Sequence, residues 1–516
     1  MKRRKFIKNV SLSSAAVPFL FRNHQYSAIS KKLFEYSRGA EDRVLVVIRL
    51  NGGNDGLNTL IPIDQYDNLV IQRPHVLLPE NTIIPVTAEN GFHAAMTGMA
   101  SMFNNGNLAI VQNVGYPEQN RSHFRSMDIW SYGTQDEDAT TGWLGRHLDT
   151  KYPNFPSDYP NEDYPDPFAI SMGYEVSSTC QGLLGNFSHT VTDPFQDVNV
   201  GDFSSINDGT YYGSHMEYLS TIIAQTNAYG QQVNAAANAG NSMSQLYDPE
   251  NRLAMQLKSV AQMISGGLKT KIYILNLNGF DTHSEQVVKT DTTQGAHADL
   301  LRRLSNAVEA FQEDLQLLGI EKRVAGMTFS EFGRQIASNA SDGTDHGDAA
   351  PLFLFGSCLS NTIIGPNPVI QPAIQEQAGI PLQIDFRDVY ASLLKDWFEV
   401  SEAEVQQLFD HQVSFMPLMQ ACNLGISDLS KLDVESLVYP NPCVKHATLK
   451  VISKGEWVKA EIVDISGRSC GVIYDGNLDL DEHHIPFETK KLPRGTYRVI
   501  IQKKSGNESV QFLKMN

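Results

Sequence analysis

Residues 43–58 read Arg-Val-Leu-Val-Val-Ile-Arg-Leu-Asn-Gly-Gly-Asn-Asp-Gly-Leu-Asn. An apolar, mostly β-branched run bounded by glycines and without polar alternation is the pattern of a strand buried on both faces. The two glycines let the backbone turn tightly, and Asn51, Asn54 and Asp55 gather at the end of the strand. The same grammar recurs from Leu108 to Val114, Lys271 to Leu277, Arg323 to Phe329 and Pro351 to Phe355. Helical stretches intervene, notably Ala298 to Leu318 and Phe386 to Phe398. Continuous apolar strands separated by helices predict an α/β domain over residues 41–423, a largely parallel sheet with helices on both faces. Sites in such sheets form at the carboxyl ends of the strands, so the polar residues that follow each strand are the candidates.

The chain has 516 residues, more than one hydrophobic core usually supports, so two domains with appendages are expected. Hydrophobic residues make up 41% and charged residues 19%, a globular balance. The formal net charge of -17 argues against nucleic acid as a partner, because an acidic surface repels phosphate backbones. The 5 cysteines contain no Cys-x-x-Cys pair, which argues against a disulfide scaffold or a zinc finger. Cys443 and Cys470 are the two tail residues able to pair in an oxidising compartment. Residues 152–241 differ from the rest, being rich in Tyr, Pro, Asp, Asn and Gly. They are read as an insertion or lid over the sheet, partly helical from Met216 onward, of the kind that shapes substrate pockets.

Both ends of the chain read as addresses. Met1-Lys-Arg-Arg-Lys-Phe-Ile-Lys8 precedes a short apolar run from Val10 to Phe21, so residues 1–30 are expected to be an export signal. Arg3 and Arg4 resemble a twin-arginine signal; an ordinary secretory signal is the alternative. No later segment is apolar for long enough to span a bilayer, so the mature chain is expected to have no transmembrane span. At the other end, Thr448 to Ser453, Val458 to Ile465, Thr496 to Gln502 and Ser509 to Leu513 alternate with period two. This predicts a small antiparallel β-sandwich over 434–516. Tyr439-Pro-Asn-Pro442, Asp464-Ile-Ser-Gly467, Leu492-Pro-Arg-Gly-Thr-Tyr497 and Lys514 resemble the C-terminal sorting domain of the type IX secretion system. The resemblance implies the export and type IX machinery as partners, periplasmic transit, and then the cell surface or the exterior. A carbohydrate-binding β module is the alternative for this segment.

Five polar clusters lie at strand ends. In the first, Asn51, Asn54 or Asp55 offers oxygen ligands for a hard cation; a turn capped by Asx side chains is the plain alternative. In the second, Asn120-Arg-Ser-His-Phe-Arg125, Asn120 is placed to cap a helix toward Trp130 with Ser122 in its first turn. Free N–H groups there favour an anion or an alkoxide, and Arg121 and Arg125 can hold anionic oxygens. In the third, Asp281 and His283 lie two apart on an extended segment and face one way, as a shared metal requires. In the fourth, Glu331 is a candidate ligand, with Arg334 as its partner or as an anion clamp. In the fifth, Asp345 and His346 are adjacent in a loop before a strand. Ordinary helix caps and Glu–Arg pairs explain each cluster singly; five at strand ends suggest a common centre.

Asn51-Gly-Gly-Asn-Asp-Gly-Leu-Asn58, Asn120-Arg-Ser-His-Phe-Arg125, Gly142-Trp-Leu-Gly-Arg146, Gly279-Phe-Asp-Thr-His283, Ser330-Glu-Phe-Gly-Arg334, Gly343-Thr-Asp-His-Gly347 and Asp385-Phe-Arg-Asp388 resemble the DUF1501 family. The resemblance implies the alkaline-phosphatase-like superfold shared with sulfatases. It also implies a hydroxyl nucleophile at Ser122 and a divalent cation (Zn, Mn, Mg or Ca) on Asn51 or Asp55, Asp281, His283, Glu331, Asp345 and His346. Ser330-Glu331 stands where that superfold has an Asp-His pair, which leaves one histidine ligand missing, and a neutral Asn51 weakens a two-metal site. The expectation is an exported metal-dependent hydrolase of phosphate or sulfate esters, acting on a small-molecule or glycan ester. The alternative is a non-catalytic surface protein of the same fold that binds glycans or an exported partner.

Overall fold

A computed structural model describes residues 42–197, 200–201, 208–360, 363–419, 436–464, 468–504 and 506–515. The export signal expected over 1–30 lies outside these residues, as does most of the Asp464–Gly467 turn. The chain divides into two compact units, Met1–Ala421 and Cys422–Asn516.

The first unit is built on one nine-stranded sheet. Its strands are β1 (Val44–Asn51), β2 (Leu108–Gly115), β3 (Ala169–Met172), β4 (Ser188–Val191), β5 (Ile272–Asn278), β6 (Val324–Phe329), β7 (Ala350–Gly356), β8 (Ile363–Ile364) and β9 (Ile384–Asp385). The order is β8-β2-β7-β6-β1-β5-β3-β4, with β9 also on β2. Among them β7 alone runs antiparallel, to both β2 and β6. That reversal puts the residues before β7 on the same rim as the residues after the other strands. Hence Asp345 and His346 can meet Asp281 and Glu331. The stretch 152–241, expected as an insertion over the sheet, supplies β3 and β4 at the sheet edge and then a long helix.

The helices that cover the sheet are α1 (Thr97–Asn104), α2 (His123–Tyr132), α3 (Trp143–Lys151), α4 (Tyr211–Ala239), α5 (Arg252–Ser265), α6 (Ala296–Leu318) and α7 (Phe386–Asp396). Both alternating sets of β1 are apolar, so both faces need cover. Val44, Val46, Ile48 and Leu50 join a core cluster with residues of α1, α4, α5 and α6. On the opposite face Trp130 of α2 is stacked 5.1 Å from Phe329 of β6 and 4.5 Å from Phe386 of α7. Tyr390 of α7 stacks on Trp143 of α3 at 4.1 Å.

The second unit is a five-stranded antiparallel sheet of β10 (Leu437–Tyr439), β11 (His446–Val463), β12 (Ser469–Glu488), β13 (Gly495–Lys503) and β14 (Gly506–Lys514). Val438, Leu449, Val451, Val499, Ile501 and Phe512 form its core. Cys443 is buried and Cys470 exposed, and both are free thiols, so the tail disulfide allowed by the sequence does not form. No helix among the described residues is long and apolar enough to cross a membrane.

The first unit also buries His93, His147 and His297. Desolvation lowers their pKa values to about 3, 4 and 4. In the unfolded chain these rings take up protons near pH 6.5, whereas the folded chain holds them neutral to about pH 4. The unfolded state therefore binds more protons in that window, and stability falls as pH drops from about 6.5 to 4. His297 alone contributes on the order of 3 kcal/mol of that loss. Denaturation free energies measured across the window are expected to show a shallower slope in His297→Gln; an unchanged slope would contradict the assignment.

Candidate metal centre

The rim loops are held together from inside. Gly52 and Gly53 adopt positive φ values of 122° and 82°. A Cβ at Gly52 would stand 2.3 Å from the backbone nitrogen of Asp281, so only glycine lets these two loops touch. The buried guanidinium of Arg334 lies against the same loops. It donates from Nε to Gly53 O at 2.8 Å, from Nη1 to Thr344 O at 2.9 Å, and from Nη2 to Phe280 O at 2.9 Å and Asp281 Oδ1 at 2.7 Å. Gly52 O is a further acceptor. Arg334, expected as the partner of Glu331 or as an anion clamp, is instead paired with Asp281.

Above this pin three histidines converge. His123 is the first residue of α2, whose N-cap is Ser122 and whose C-cap is Gly133 in the left-handed conformation. Asn120 does not cap the helix; its Oδ1 accepts from the Ser122 backbone N–H at 2.8 Å. Each imidazole is held through Nδ1 by an oxygen. His123 Nδ1 lies 2.8 Å from Glu331 Oε1, His283 Nδ1 2.8 Å from Asp345 Oδ1, and His346 Nδ1 2.9 Å from Arg121 O. Carboxylate and carbonyl oxygens only accept, so each Nδ1 carries the proton and each neutral ring presents a bare Nε2.

The three Nε2 atoms face Asp281. His283 and His346 Nε2 lie 3.1 Å from Asp281 Oδ1, and His123 Nε2 lies 3.4 Å from Oδ2. His283 and His346 Nε2 are 2.9 Å apart. The His123 contact lacks hydrogen-bond geometry, and its Nε2 is a buried atom without a hydrogen-bond partner. His123, Asp281 and His346 can each offer one ligand atom, all within 4.8 Å of one another. A tetrahedral ion with nitrogen ligands at about 2.0–2.1 Å would set ligand atoms about 3.4 Å apart. The spacings within His123, Asp281 and His346 are compatible with such an ion, and the partnerless Nε2 of His123 is a nitrogen free to ligate.

The charges are tuned by the same contacts. The hydrogen bond that His123 donates to Glu331 raises the His123 pKa, outweighing desolvation. Burial lowers that of His346. Burial works against ionised Asp281, but the hydrogen bond from Arg334, the polar contact with His346 and the charge of Arg334 bring its pKa down to about 2. Asp345 is likewise desolvated, yet its bonds from His283 and Asn339 lower its pKa.

The other candidates are occupied elsewhere. Asn51 uses Nδ2 on Asn276 at 3.2 Å and Asn278 at 2.6 Å. Asp55 is sealed in a buried ion pair with Arg73 and accepts from Gln286 at 2.6 Å. Arg121 forms a two-point pair with Asp348, both bonds at 2.8 Å, and Arg125 donates to Gln135 O at 2.6 Å. Ser122 is exposed at the start of α2, and its hydroxyl makes no capping bond. A cleft of about 520 Å³ adjoins it, lined by Tyr116, Gln119, Arg121 and Asp348 among others. His123 was not among the sequence candidates. Its signal was its place beside Ser122 at a helix start, together with the imidazole missing beside Glu331.

The fold and the rim define a class: an α/β domain with a histidine- and carboxylate-lined centre, joined to an antiparallel β unit. Residues 226–409 match the family described as protein of unknown function, DUF1501, and residues 437–515 match the secretion system C-terminal sorting domain. Part of the first unit thus matches the DUF1501 family model, and the chain carries a type IX sorting domain, which marks it for export to the cell surface or beyond. No curated protein matches it in sequence. Solved structures similar to it include a lipoteichoic acid synthase from Listeria monocytogenes, at 9% identity over 70% of this chain and 73% of that one, with a TM-score of 0.30. A sulfatase from Pseudoalteromonas sp. is 9% identical over 90% and 88%, with a TM-score of 0.31. A protein in the alkaline phosphatase superfamily from Vibrio parahaemolyticus is 10% identical over 85% and 83%, with a TM-score of 0.30. These overlaps are too loose to bear on chemistry.

Asp55→Ala separates structure from ligation. It strands the buried Arg73 guanidinium and should cost about 3–5 kcal/mol in urea unfolding. Metal content of the folded variant should match wild type; a lost metal would return Asp55 to the centre.

Proposed function

We propose that this protein is an exported metal-dependent hydrolase of phosphate or sulfate esters, with His123, Asp281, His283 and His346 as the ligands of one divalent ion. The observation that carries the reading is the set of three bare Nε2 atoms facing one carboxylate, each ring fixed through Nδ1. Oxygen acceptors behind ligating imidazoles are the usual support of a metal site. Glu331 and Asp345 then orient ligands and do not bind the ion themselves. Three imidazoles and one carboxylate suit a first-row ion such as Zn²⁺ better than Ca²⁺ or Mg²⁺, which prefer all-oxygen shells.

The bound ion would supply Lewis-acid chemistry, favouring an ionised nucleophile and offsetting charge that develops on ester oxygens. The chain supplies the rest. Ser122 presents an exposed hydroxyl beside the ligand His123, at a helix start whose free N–H groups favour an anion. Its oxygen would attack the phosphorus or sulfur as the bond to the alcohol breaks, the hydroxyl proton would leave with the departing alcohol, and water would then cleave the serine ester. Arg121 lines the adjoining cleft with its charge balanced by Asp348, so it shapes the cleft more than it attracts anions. The ester class follows from the likeness of the motif order to alkaline-phosphatase-type domains. Export through a twin-arginine signal and the periplasm belongs to the same proposal.

The purified protein should carry about one metal ion by elemental mass spectrometry, and Asp281→Asn should lose it. Glu331→Gln should weaken metal affinity about 10–100-fold by loosening His123. With aryl phosphates or sulfates, Ser122→Ala should lose at least about 1000-fold in kcat while keeping its metal. Turnover unchanged in Ser122→Ala would remove the mechanism. Bound metal with no turnover on any ester would favour a non-catalytic surface protein.

A further inference from the structure

The apolar filling of the sheet is interrupted at the carboxyl end of β1. Arg49 and Asn51 project from one face of β1, and their register partners on β5, Asn276 and Asn278, project from the same face. The result is a polar patch of four side chains at the carboxyl rim. On the other side of β1, Arg49 is in register with Phe329. Two residues after Phe329 comes Glu331, whose carboxylate holds His123. The patch therefore begins where the metal centre ends.

Two atoms of the patch lack partners. Arg49 Nε and Asn51 Oδ1 are both buried without a hydrogen bond. The Asn51 amide nitrogen is used within the patch, on Asn276 and Asn278, and its oxygen is left over. Arg49 forms no ion pair among the described residues, although Glu331, Glu175 and Asp128 are close enough to act on its charge. Arginine otherwise forms two-point bonds to oxyanions readily. A buried donor on a cation and a buried neutral acceptor, two residues apart on one face, ask for different things. The first wants an anionic oxygen and the second a hydroxyl or N–H. An inorganic anion satisfies only the first.

We propose that Arg49 and Asn51 form the floor of a second binding subsite, contiguous with the metal centre, that takes an anionic oxygen group on a hydroxyl-bearing molecule. Arg49 donates to the anionic oxygen, and Asn51 Oδ1 accepts from a neighbouring hydroxyl. The inference rests on the hydrolase reading only for what reacts next door; binding itself needs no metal.

Titration calorimetry on the full chain, stripped of metal by a chelator, tests it with inorganic phosphate, glucose 6-phosphate and glucose as probes. Glucose 6-phosphate should bind more tightly than phosphate, and glucose most weakly. Arg49→Gln should weaken both phosphates at least about tenfold. Asn51→Ala should bring glucose 6-phosphate down to the level of phosphate. Arg49→Lys, which keeps the charge, should retain part of the affinity and guards against a misfolded Gln variant. Equal binding by wild type and a folded Arg49→Gln would overturn the proposal. So would equal affinity for glucose and glucose 6-phosphate, which needs no variant to observe. Binding of no probe would mean that water alone satisfies the two atoms, and would overturn it too. Because the metal is absent throughout, failure here leaves the metal centre standing, and a metal-free native protein would leave this subsite standing.

Discussion

The centre depends on a cation that does not face solvent. Arg334 places a fully buried guanidinium among Gly52, Gly53, Phe280 and Thr344 carbonyls and the Asp281 carboxylate. Burying such a charge is costly unless its donors are met, and here the acceptors come from three separate rim loops. The loops after β1 and β5 and the loop before β7 are thus fixed to one another before any ligand arrives. Asp281, the point on which the histidines converge, is held ionised by the same contact.

The second constraint is on ring orientation. An imidazole left to rotate presents either nitrogen. In this protein two carboxylates and one carbonyl choose Nδ1 in all three rings, so the lone pairs meet at Asp281. The chain sources differ: a helix start, a loop after a parallel strand, and a loop before the antiparallel strand. The antiparallel β7 brings the third histidine to a rim it would otherwise leave. The buried pair of Asp55 with Arg73 and Gln286 lies in the same loop system but serves folding.

The sheet was legible because its strands are apolar on both alternating sets, and β1, β2, β5, β6 and β7 begin and end within a residue or two of the periodicity. The outlying strands β3 and β4 were not, because four-residue strands inside a Tyr-, Pro- and Asp-rich stretch carry little period. Asp281, His283, Glu331, Asp345 and His346 were legible as a group because each follows or precedes a strand at one rim. Their division of labour was not. Whether a carboxylate binds an ion or holds a histidine depends on distances between loops far apart in sequence. Asn51 and Asp55 looked like ligands because short oxygen side chains flank two glycines at the end of β1; the structure uses them on Asn276 and Asn278 and on Arg73 and Gln286. His123 was overlooked because a histidine behind a serine at a helix start is common, and nothing local shows that Glu331 stands behind it.

Ligation by nitrogen rather than by the supporting carboxylates is the claim on which the rest turns. Diffraction data collected on either side of the metal absorption edge, from crystals of the purified protein, measure it directly. The expected result is one anomalous peak bonded to Nε2 of His123, His283 and His346 and to Asp281, with Glu331 and Asp345 on the Nδ1 atoms behind. A peak bonded to Glu331 and Asp345, or an ion-free rim in protein saturated with metal, would contradict it.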